Sequence, residues 1–214
     1  MTPIPRLRVG DRLVLASHNK GKLTEFQELF EPFGLEIVSA ADLGLPEPEE
    51  TGTTFAENAR LKAHAAAQAS GMLALSDDSG LCVDALNGDP GVYTADWAGV
   101  PRNFDHAMKR VEDALQAANA TSPGQRKGSF NATLCLAHPD GRDVLYVGTC
   151  EGMLVWPPRG ERGHGYDPVF MPNGYDITFG QMTPEMKHSW SPGQQGLSHR
   201  ARSFAKFVEE QIER

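Results

Sequence analysis

The sequence predicts an α/β fold, in which a mixed β-sheet carries helices on its faces. Apolar strand-like runs alternate with amphipathic helical runs through the 214 residues, and no internal repeat or clear linker interrupts them. Apolar residues make up 40% of the chain and charged residues 22%, as in ordinary globular proteins. We therefore expect residues 1–214 to form one domain with a substantial core, of which residues 1–11 are a short N-terminal extension.

Strands and helices are predicted in turn along the first third of the chain. The runs at 12–17 and 35–40 are apolar enough for buried strands, and an amphipathic helical pattern lies between them. A second helix follows Thr54, which forms a capping box with Glu57, and Gly71 ends it. A loop rich in Pro and Glu precedes this helix.

The rest of the chain continues the alternation. Two short strands, 72–78 and 80–86, are predicted on either side of Ser79-Gly80, and a helix is predicted from Asn103. The turn at 139–141, Pro-Asp-Gly, predicts a hairpin between two longer strands. The last helix is predicted to begin near Ser198.

Charge and cysteine usage exclude several classes of protein. The formal net charge is -8 and no basic stretch stands out, which argues against a nucleic-acid partner but leaves an anionic small substrate open. The cysteines, Cys82, Cys135 and Cys150, are odd in number and lack metal-type spacing, so we expect reduced thiols. No apolar run suits a membrane span or a signal peptide. The expected location is the cytoplasm.

Two adjacent carboxylates, Asp77 and Asp78, lie within the apolar run "LALSDDSGLCVDAL". Partial burial and mutual repulsion make such a pair unfavourable unless positive charge lies nearby. A Mg²⁺ ion would supply that charge, because it binds one or two carboxylates together with substrate phosphates. The alternative is a turn, in which the aspartates accept hydrogen bonds from the backbone of Ser79 and Gly80.

The segment "SHNKGK" (17–22) joins the first predicted strand to its helix. Backbone N–H groups at a helix start, together with Lys20 and Lys22, favour an anion-binding turn. The segment is not a P-loop, because residue 16 is Ala where that motif requires Gly. The alternative is a solvated basic turn with Asn19 as a helix cap.

Two further groups suit ligand binding, each with a structural alternative. Asn58 and Lys62 share one helix face near Glu49 and Glu50, although a lysine in an Ala-rich helix is usually solvated. In "GHGYDP" (163–168), glycines allow close approach to a ligand, and the aromatic rings could stack on a base. Its carboxylate could accept hydrogen bonds from base or sugar, or the segment is a turn with a packed tyrosine.

Basic residues cluster at the start of the last predicted helix, in "SHR" (198–200). The N-terminus of a helix carries partial positive charge, so His199 and Arg200 are unfavourable there unless an anion or an electron-rich ring binds. Lys187 and His188 add to this cluster. Taken together, the groups favour a site for a metal–triphosphate and a base.

Five motifs occur in order: "SHNKGK", "ETGTTFAENARLKA", "SDDSGLCVDALNGDPGVYTA", "GHGYDPVF" and "LSHRARSF". Over about 12–208 the chain resembles the inosine/xanthosine triphosphate pyrophosphatases. The resemblance implies a two-lobed α/β fold with an elongated mixed sheet and a central cleft between the lobes. It also implies a homodimer, a Mg²⁺ requirement, and hydrolysis of ITP, dITP and XTP to the monophosphate and pyrophosphate.

The resemblance also implies roles for individual residues. Asp78 is the general base and a metal ligand, joined by Glu49 or Glu50, and Ser79 contacts the substrate. The phosphates are bound by the turn residues Ser17, His18, Asn19, Lys20, Gly21 and Lys22, and we include Lys62 among the substrate-binding residues. The base and nearby groups are held by His164, Gly165, Tyr166, Asp167, Lys187, His199 and Arg200.

The chain departs from the family pattern at three places. His164 stands where an aromatic such as Phe is expected. The segment 188–197 is longer than the usual spacing and predicts a lid or a surface bulge. Asp96 replaces a common arginine.

Two alternative functions stay open. One is a Maf-like pyrophosphatase for modified pyrimidine nucleotides, and the other is a catalytically silent nucleotide sensor.

Overall fold

The structure, a computed structural model, describes residues 3–189 and 196–213, apart from the side chains of residues 20 and 21. Within these residues the strands are Arg12–Leu15 (β1), Glu36–Ser39 (β2), Ala74–Val83 (β3), Lys127–Ala137 (β4), Asp143–Leu154 (β5) and Phe170–Pro172 (β6). The α-helices are Lys20–Phe30 (α1), Phe55–Ser70 (α2), Phe104–Ala117 (α3), Pro184–His188 (α4) and His199–Gln211 (α5).

The six strands form one mixed sheet in the order β2-β1-β3-β4-β5-β6. β1 runs parallel to β2, with Val14 opposite Val38, and parallel to β3, with Val14 opposite Ala74. β5 runs antiparallel to β6, with Met153 opposite Met171. The predicted α/β class with a mixed sheet and flanking helices is therefore confirmed.

The chain divides into two compact units. The first comprises Met1–Asp78, Thr133–Val147 and Ser203–Arg214, and the second comprises Ser79–Ala132 and Gly148–Arg202. In the first unit, small side chains allow close packing of α2, and the core includes Val14, Ala59, Ala63, Ala67 and Ala74. Leu7 of the predicted N-terminal extension is also buried, and it forms a bridge with Ile212.

The core of the second unit gathers the apolar face of α3 and several aromatic rings. Phe130 packs edge-on against Phe170, with ring centroids 4.7 Å apart, and stacks on Phe179 at 6.0 Å. The carboxylate of Glu112 on α3 forms a buried ion pair with Arg126. Because Arg126 also donates from Nε to Leu154 O (2.8 Å), this ion pair connects α3 to the end of β5.

Several predicted elements are confirmed, and some predicted bounds are wrong. The capping box of Thr54 and Glu57, the Asn103 cap of α3 and the strands around 139–141 occur as expected. The predicted break at Ser79-Gly80 is wrong, because β3 runs through both residues between β1 and β4. A strand with a neighbour on each side keeps an extended backbone at a glycine that would otherwise favour a turn.

The cysteines and the helices agree with the sequence expectations. All three thiols are free, with Cys135 and Cys150 buried and Cys82 half-buried. Burial raises the pKa of the Cys135 thiol to about 12, which keeps it protonated. Among the described residues, none of the helices has the length and apolarity needed to cross a bilayer.

Candidate functional site

Two lysines supply the positive charge that the acidic pair requires. In the first unit, Lys22 Nζ lies 2.8 Å from Asp77 Oδ2, and Lys62 Nζ lies 3.0 Å from Asp78 Oδ1. Both aspartates are buried, at 4% and 8% exposure. The alternative of a turn at Ser79-Gly80 is wrong, because these residues belong to β3.

Lys62 is the centre of this cluster. Its Nζ donates to Glu50 Oε1 (2.7 Å) and to the carbonyl oxygen of Asp77 (3.0 Å), in addition to Asp78. Only 7% of Lys62 is exposed, so the alternative of a solvated lysine is wrong. One turn earlier on the same face of α2, Asn58 Oδ1 accepts a hydrogen bond from Gly52 N (2.8 Å) and fixes the end of the preceding loop.

The pKa values of both Lys62 and Asp78 are raised within this cluster. Burial alone would lower the pKa of Lys62, but the carboxylates of Asp78 and Glu50 raise it above its ordinary value, so the ammonium stays charged. Burial raises the pKa of Asp78, and the nearby Glu50 carboxylate adds to this shift against the opposing effect of Lys62. A carboxylate with a raised pKa is a stronger proton acceptor than an exposed aspartate.

The basic turn at 17–22 folds through local hydrogen bonds. Ser17 Oγ accepts a hydrogen bond from Asn19 N (3.1 Å), and Asn19 Oδ1 accepts one from Lys22 N (3.2 Å). Asn19 therefore caps the start of α1, as the alternative interpretation proposed, while Lys22 reaches Asp77. His18 Nε2 lies 2.9 Å from Leu45 O. Gly21 belongs to the first turn of α1, and the Lys20 side chain lies outside the described part of the structure.

The carboxylates beside Lys62 fit a divalent cation. Asp78 Oδ2 is buried and accepts no hydrogen bond from the residues that the structure describes. Glu50 contacts the same ammonium as Asp78, and both Glu50 and Glu49 are exposed. Within the described ranges, no group of three or more His, Cys, Asp or Glu residues is placed to hold a metal. Two carboxylates match the usual Mg²⁺ site, in which phosphates and water supply the other ligands.

A second cluster of predicted site residues lies in the second unit. Lys187 Nζ is 2.6 Å from Asp167 Oδ2, and both side chains are buried. Asp167 Oδ2 also accepts a hydrogen bond from His164 N (2.8 Å), while His164 itself is exposed. Lys187 Nζ lies 5.0 Å from the centroid of the Phe179 ring. The Asp167 carboxylate thus fixes the backbone of the "GHGYDP" segment at His164.

The start of α5 carries two further predicted site residues of the second unit, His199 and Arg200. The His199 ring stacks on Phe130, with centroids 5.0 Å apart and planes 14° apart. Arg200 Nη2 lies 3.4 Å from Ser79 Oγ. Ser198 Oγ accepts a hydrogen bond from Ala201 N (3.1 Å), so Ser198 caps the helix.

Tyr166 is packed rather than presented to a ligand. The residue is 1% exposed, its hydroxyl donates to Thr94 O (2.9 Å), and its ring packs edge-on against Phe104. The alternative of a turn with a packed tyrosine is the arrangement found. Gly165, with a φ of 62°, allows the backbone to turn just before this ring.

The sequence did not single out Phe130, on which the His199 ring stacks, or Phe179, whose ring lies beside Lys187 Nζ. Buried phenylalanines in strands and loops carry no functional signal in a sequence. It also predicted a lid or bulge at 188–197, of which residues 190–195 lie outside the described residues.

Comparisons with known proteins agree on one family. The model of the Ham1 family matches residues 13–210. A dITP/XTP pyrophosphatase of Mesorhizobium japonicum is 62% identical over 208 residues, which cover 95% of this chain and 94% of that protein. A protein of the same name from Brucella melitensis is 59% identical, with 97% and 96% covered. The solved structure of a HAM1 protein from Coxiella burnetii is 34% identical, with a TM-score of 0.84, and covers 93% of this chain and 97% of that one.

Proposed function

Because the chain belongs to the Ham1 family, we propose that it hydrolyses ITP, dITP and XTP to the nucleoside monophosphate and pyrophosphate. The observation that carries the proposal is the contact of Lys62 Nζ with both Asp78 and Glu50. It assembles a buried proton acceptor, a second carboxylate and a cation in one cluster. This set suits attack of water on a phosphoanhydride.

Asp78 acts as the general base in the proposed reaction. Its carboxylate takes a proton from the attacking water, while the water oxygen forms a bond to the α-phosphorus. The bond from the α-phosphorus to the bridging oxygen breaks, and its electron pair leaves with pyrophosphate. Burial raises the pKa of Asp78, which suits this carboxylate to accept a proton.

Lys22 and Lys62 are proposed to neutralise phosphate oxygens. Both ammonium groups lie on the acidic pair and can exchange part of their carboxylate contacts for phosphate contacts when substrate binds. Backbone N–H groups at the start of α1 add donors from the basic turn.

Asp78 and Glu50 are the residues proposed to hold Mg²⁺. The buried Oδ2 of Asp78, which accepts no hydrogen bond from any described residue, leaves one carboxylate oxygen available to a cation. When bound, the ion would neutralise charge on the phosphate oxygens and assist departure of pyrophosphate. The proposal selects Glu50 over Glu49, because Glu50 contacts Lys62.

Selectivity for a 6-oxo purine is proposed to come from His199 and Arg200. Both side chains can donate to O6, and the Phe130 ring supports the His199 ring. An adenine amino group would face these donors with donors of its own, which leaves polar groups unpaired. The Asp167–Lys187 ion pair and the exposed His164 are proposed to complete recognition of the base and its surroundings.

Neither alternative function receives support. The relatives from Mesorhizobium japonicum and Brucella melitensis carry the name dITP/XTP pyrophosphatase, which favours purines over the modified pyrimidines of Maf-like enzymes. A silent sensor has no need of a buried proton acceptor such as Asp78. We also propose a homodimer in the cytoplasm, which size-exclusion chromatography with light scattering and cell fractionation would test.

A nucleotide panel tests the proposed function. Purified protein is given ITP, dITP, XTP, GTP and ATP with and without Mg²⁺, and pyrophosphate and orthophosphate are measured separately. We expect pyrophosphate from ITP, dITP and XTP only, and only with the metal.

Asp78→Asn should lower kcat by about 100-fold or more while the protein stays folded, because general bases contribute on that scale. Asp140→Asn, in an exposed hairpin turn, is the matched control. Equal turnover of ATP, or orthophosphate as the product, would reject the proposal.

A further inference from the structure

His18 connects the basic turn to the acidic loop, which we define as residues 45–51. Its Nε2 lies 2.9 Å from Leu45 O, and its Nδ1 lies 3.9 Å from Glu47 Oε1. A carbonyl oxygen only accepts hydrogen bonds, so Nε2 carries the proton and donates to Leu45 O. Both segments belong to the first unit.

The acidic loop has no regular secondary structure, so its neighbours determine where it lies. At its first residue, Leu45 N donates to Ala40 O (2.9 Å), and just after it, Gly52 N donates to Asn58 Oδ1 (2.8 Å). Within it, Glu50 Oε1 accepts a hydrogen bond from Lys62 Nζ. His18 holds the carbonyl of the first loop residue and so restrains the segment that leads to Glu50.

We infer that His18 is a positioning residue for the metal site: it holds the acidic loop so that Glu50 stays beside Asp78. The inference rests on the proposed function and deepens its metal site. It differs from the phosphate-binding role that the family resemblance implies for position 18. The donor atom Nε2 is already engaged by Leu45 O, so it is not directed at a substrate phosphate.

The consequence of losing this contact is specific. Without the His18 hydrogen bond, the loop before Glu50 gains freedom, and the contact with Lys62 restrains the Glu50 carboxylate less tightly beside Asp78. The two carboxylates must then be ordered when a cation binds. Cation affinity therefore falls. Lys22 and Lys62 keep their contacts with the acidic pair, so the KM for nucleotide at saturating metal stays near its original value.

The experiment measures binding of Mn²⁺ alone, by electron paramagnetic resonance, to full-length protein without nucleotide. His18→Ala removes the donor, and His18→Gln keeps an amide N–H at similar reach. His138→Ala is the matched control, because the His138 side chain is 29% exposed, as is that of His18, and lies in the same unit. Circular dichroism melting checks folding, and His18→Asn, too short to reach Leu45 O, replaces the alanine variant if that variant does not fold.

We expect the Kd for Mn²⁺ to rise about tenfold in His18→Ala, as for other residues that orient metal ligands. The Mg²⁺ concentration for half-maximal activity should rise in parallel, with His18→Gln and His138→Ala close to the original protein. Unchanged Mn²⁺ affinity with a raised nucleotide KM would overturn the inference and place His18 on the substrate. Absence of Mn²⁺ binding to the original protein would also overturn it. A protein that shows the Mn²⁺ shift but releases no pyrophosphate would instead reject the proposed function alone.

Discussion

Lys62 and Asp78 form a buried ion pair whose Nζ and Oδ1 atoms lie 3.0 Å apart, with 7% and 8% of the two residues exposed. The same ammonium contacts Glu50 and the Asp77 carbonyl. One lysine on α2 therefore pairs with carboxylates of both β3 and the acidic loop, while Lys22 pairs with Asp77.

Removal of that lysine is expected to destabilise the protein. Lys62→Met keeps the length of the side chain but leaves Asp78 buried beside Glu50 without its cation, at a cost of about 3 kcal/mol near pH 7. The loss should shrink near pH 4, because protonation of the carboxyl groups removes the repulsion. Urea denaturation at pH 7 and pH 4 measures the free energy of unfolding of both proteins. Lys109→Met, in an exposed pair with Asp113, should cost less than about 1 kcal/mol. A loss that is the same at both pH values would contradict this explanation.

The acid limb of the activity profile should reflect Asp78. Burial raises the pKa of this carboxyl, and its protonated form cannot accept a proton from water. The value of kcat/KM should therefore fall, as the pH is lowered, through a midpoint above about 4, the ordinary value for aspartate. Steady-state rates on ITP across the pH range give the midpoint. Activity that stays constant down to that ordinary value would argue against Asp78 as the base.

The elements that the sequence predicted well are those with local signals. The capping box of α2, the Asn103 cap of α3 and the turn at 139–141 depend on residues close together in the chain. The contacts that organise the clusters link distant residues. Lys62 looks like an ordinary solvated lysine until α2 is packed beside β3, and His18 meets Leu45 only in the folded chain.

The buried ion pair of Glu112 and Arg126 was not predicted, because neither residue lies in a pattern that separates buried from exposed charge. Continuity of β3 through Ser79-Gly80 was missed for a related reason. Local turn propensity favoured a break, and the neighbouring strands outweighed it.

Glu112 should make stability depend on pH in a predictable direction. Burial alone would raise the pKa of Glu112, but hydrogen bonds from Arg126 and Gln116 lower it. A lowered folded-state pKa gives stability that is present above the unfolded value of about 4.3 and is lost as the pH falls through the folded value.

Glu112→Gln should therefore cost about 3 kcal/mol near pH 7, because it leaves buried Arg126 without its carboxylate. The difference from the original protein should narrow below about pH 4. Urea denaturation across this range measures the free energy of unfolding. Glu213→Gln, in an exposed pair with Arg8, is the control and should cost less than about 1 kcal/mol. A cost for Glu112→Gln no larger than that of the control would refute a stabilising role for the ion pair.

Arg200 should determine the preference for a 6-oxo purine. Arg200→Gln removes a charged donor and is expected to lower the ratio of kcat/KM for ITP over ATP by about 10- to 100-fold, the range for a hydrogen bond to a charged group. Arg202→Gln is the control, because Arg202 Nη1 donates to Thr149 O (2.9 Å) and no role in recognition is assigned to it. A ratio that falls equally in both variants would show that helix stability, and not recognition, was altered.

Hydrolysis of ITP in H₂¹⁸O tests most directly the central claim, that water activated at Asp78 attacks the α-phosphorus. Mass spectrometry of the products identifies which phosphorus received the solvent oxygen. We predict ¹⁸O in IMP and unlabelled pyrophosphate. Label in pyrophosphate or in orthophosphate, with unlabelled IMP or IDP, would place the attack at another phosphorus and contradict the mechanism.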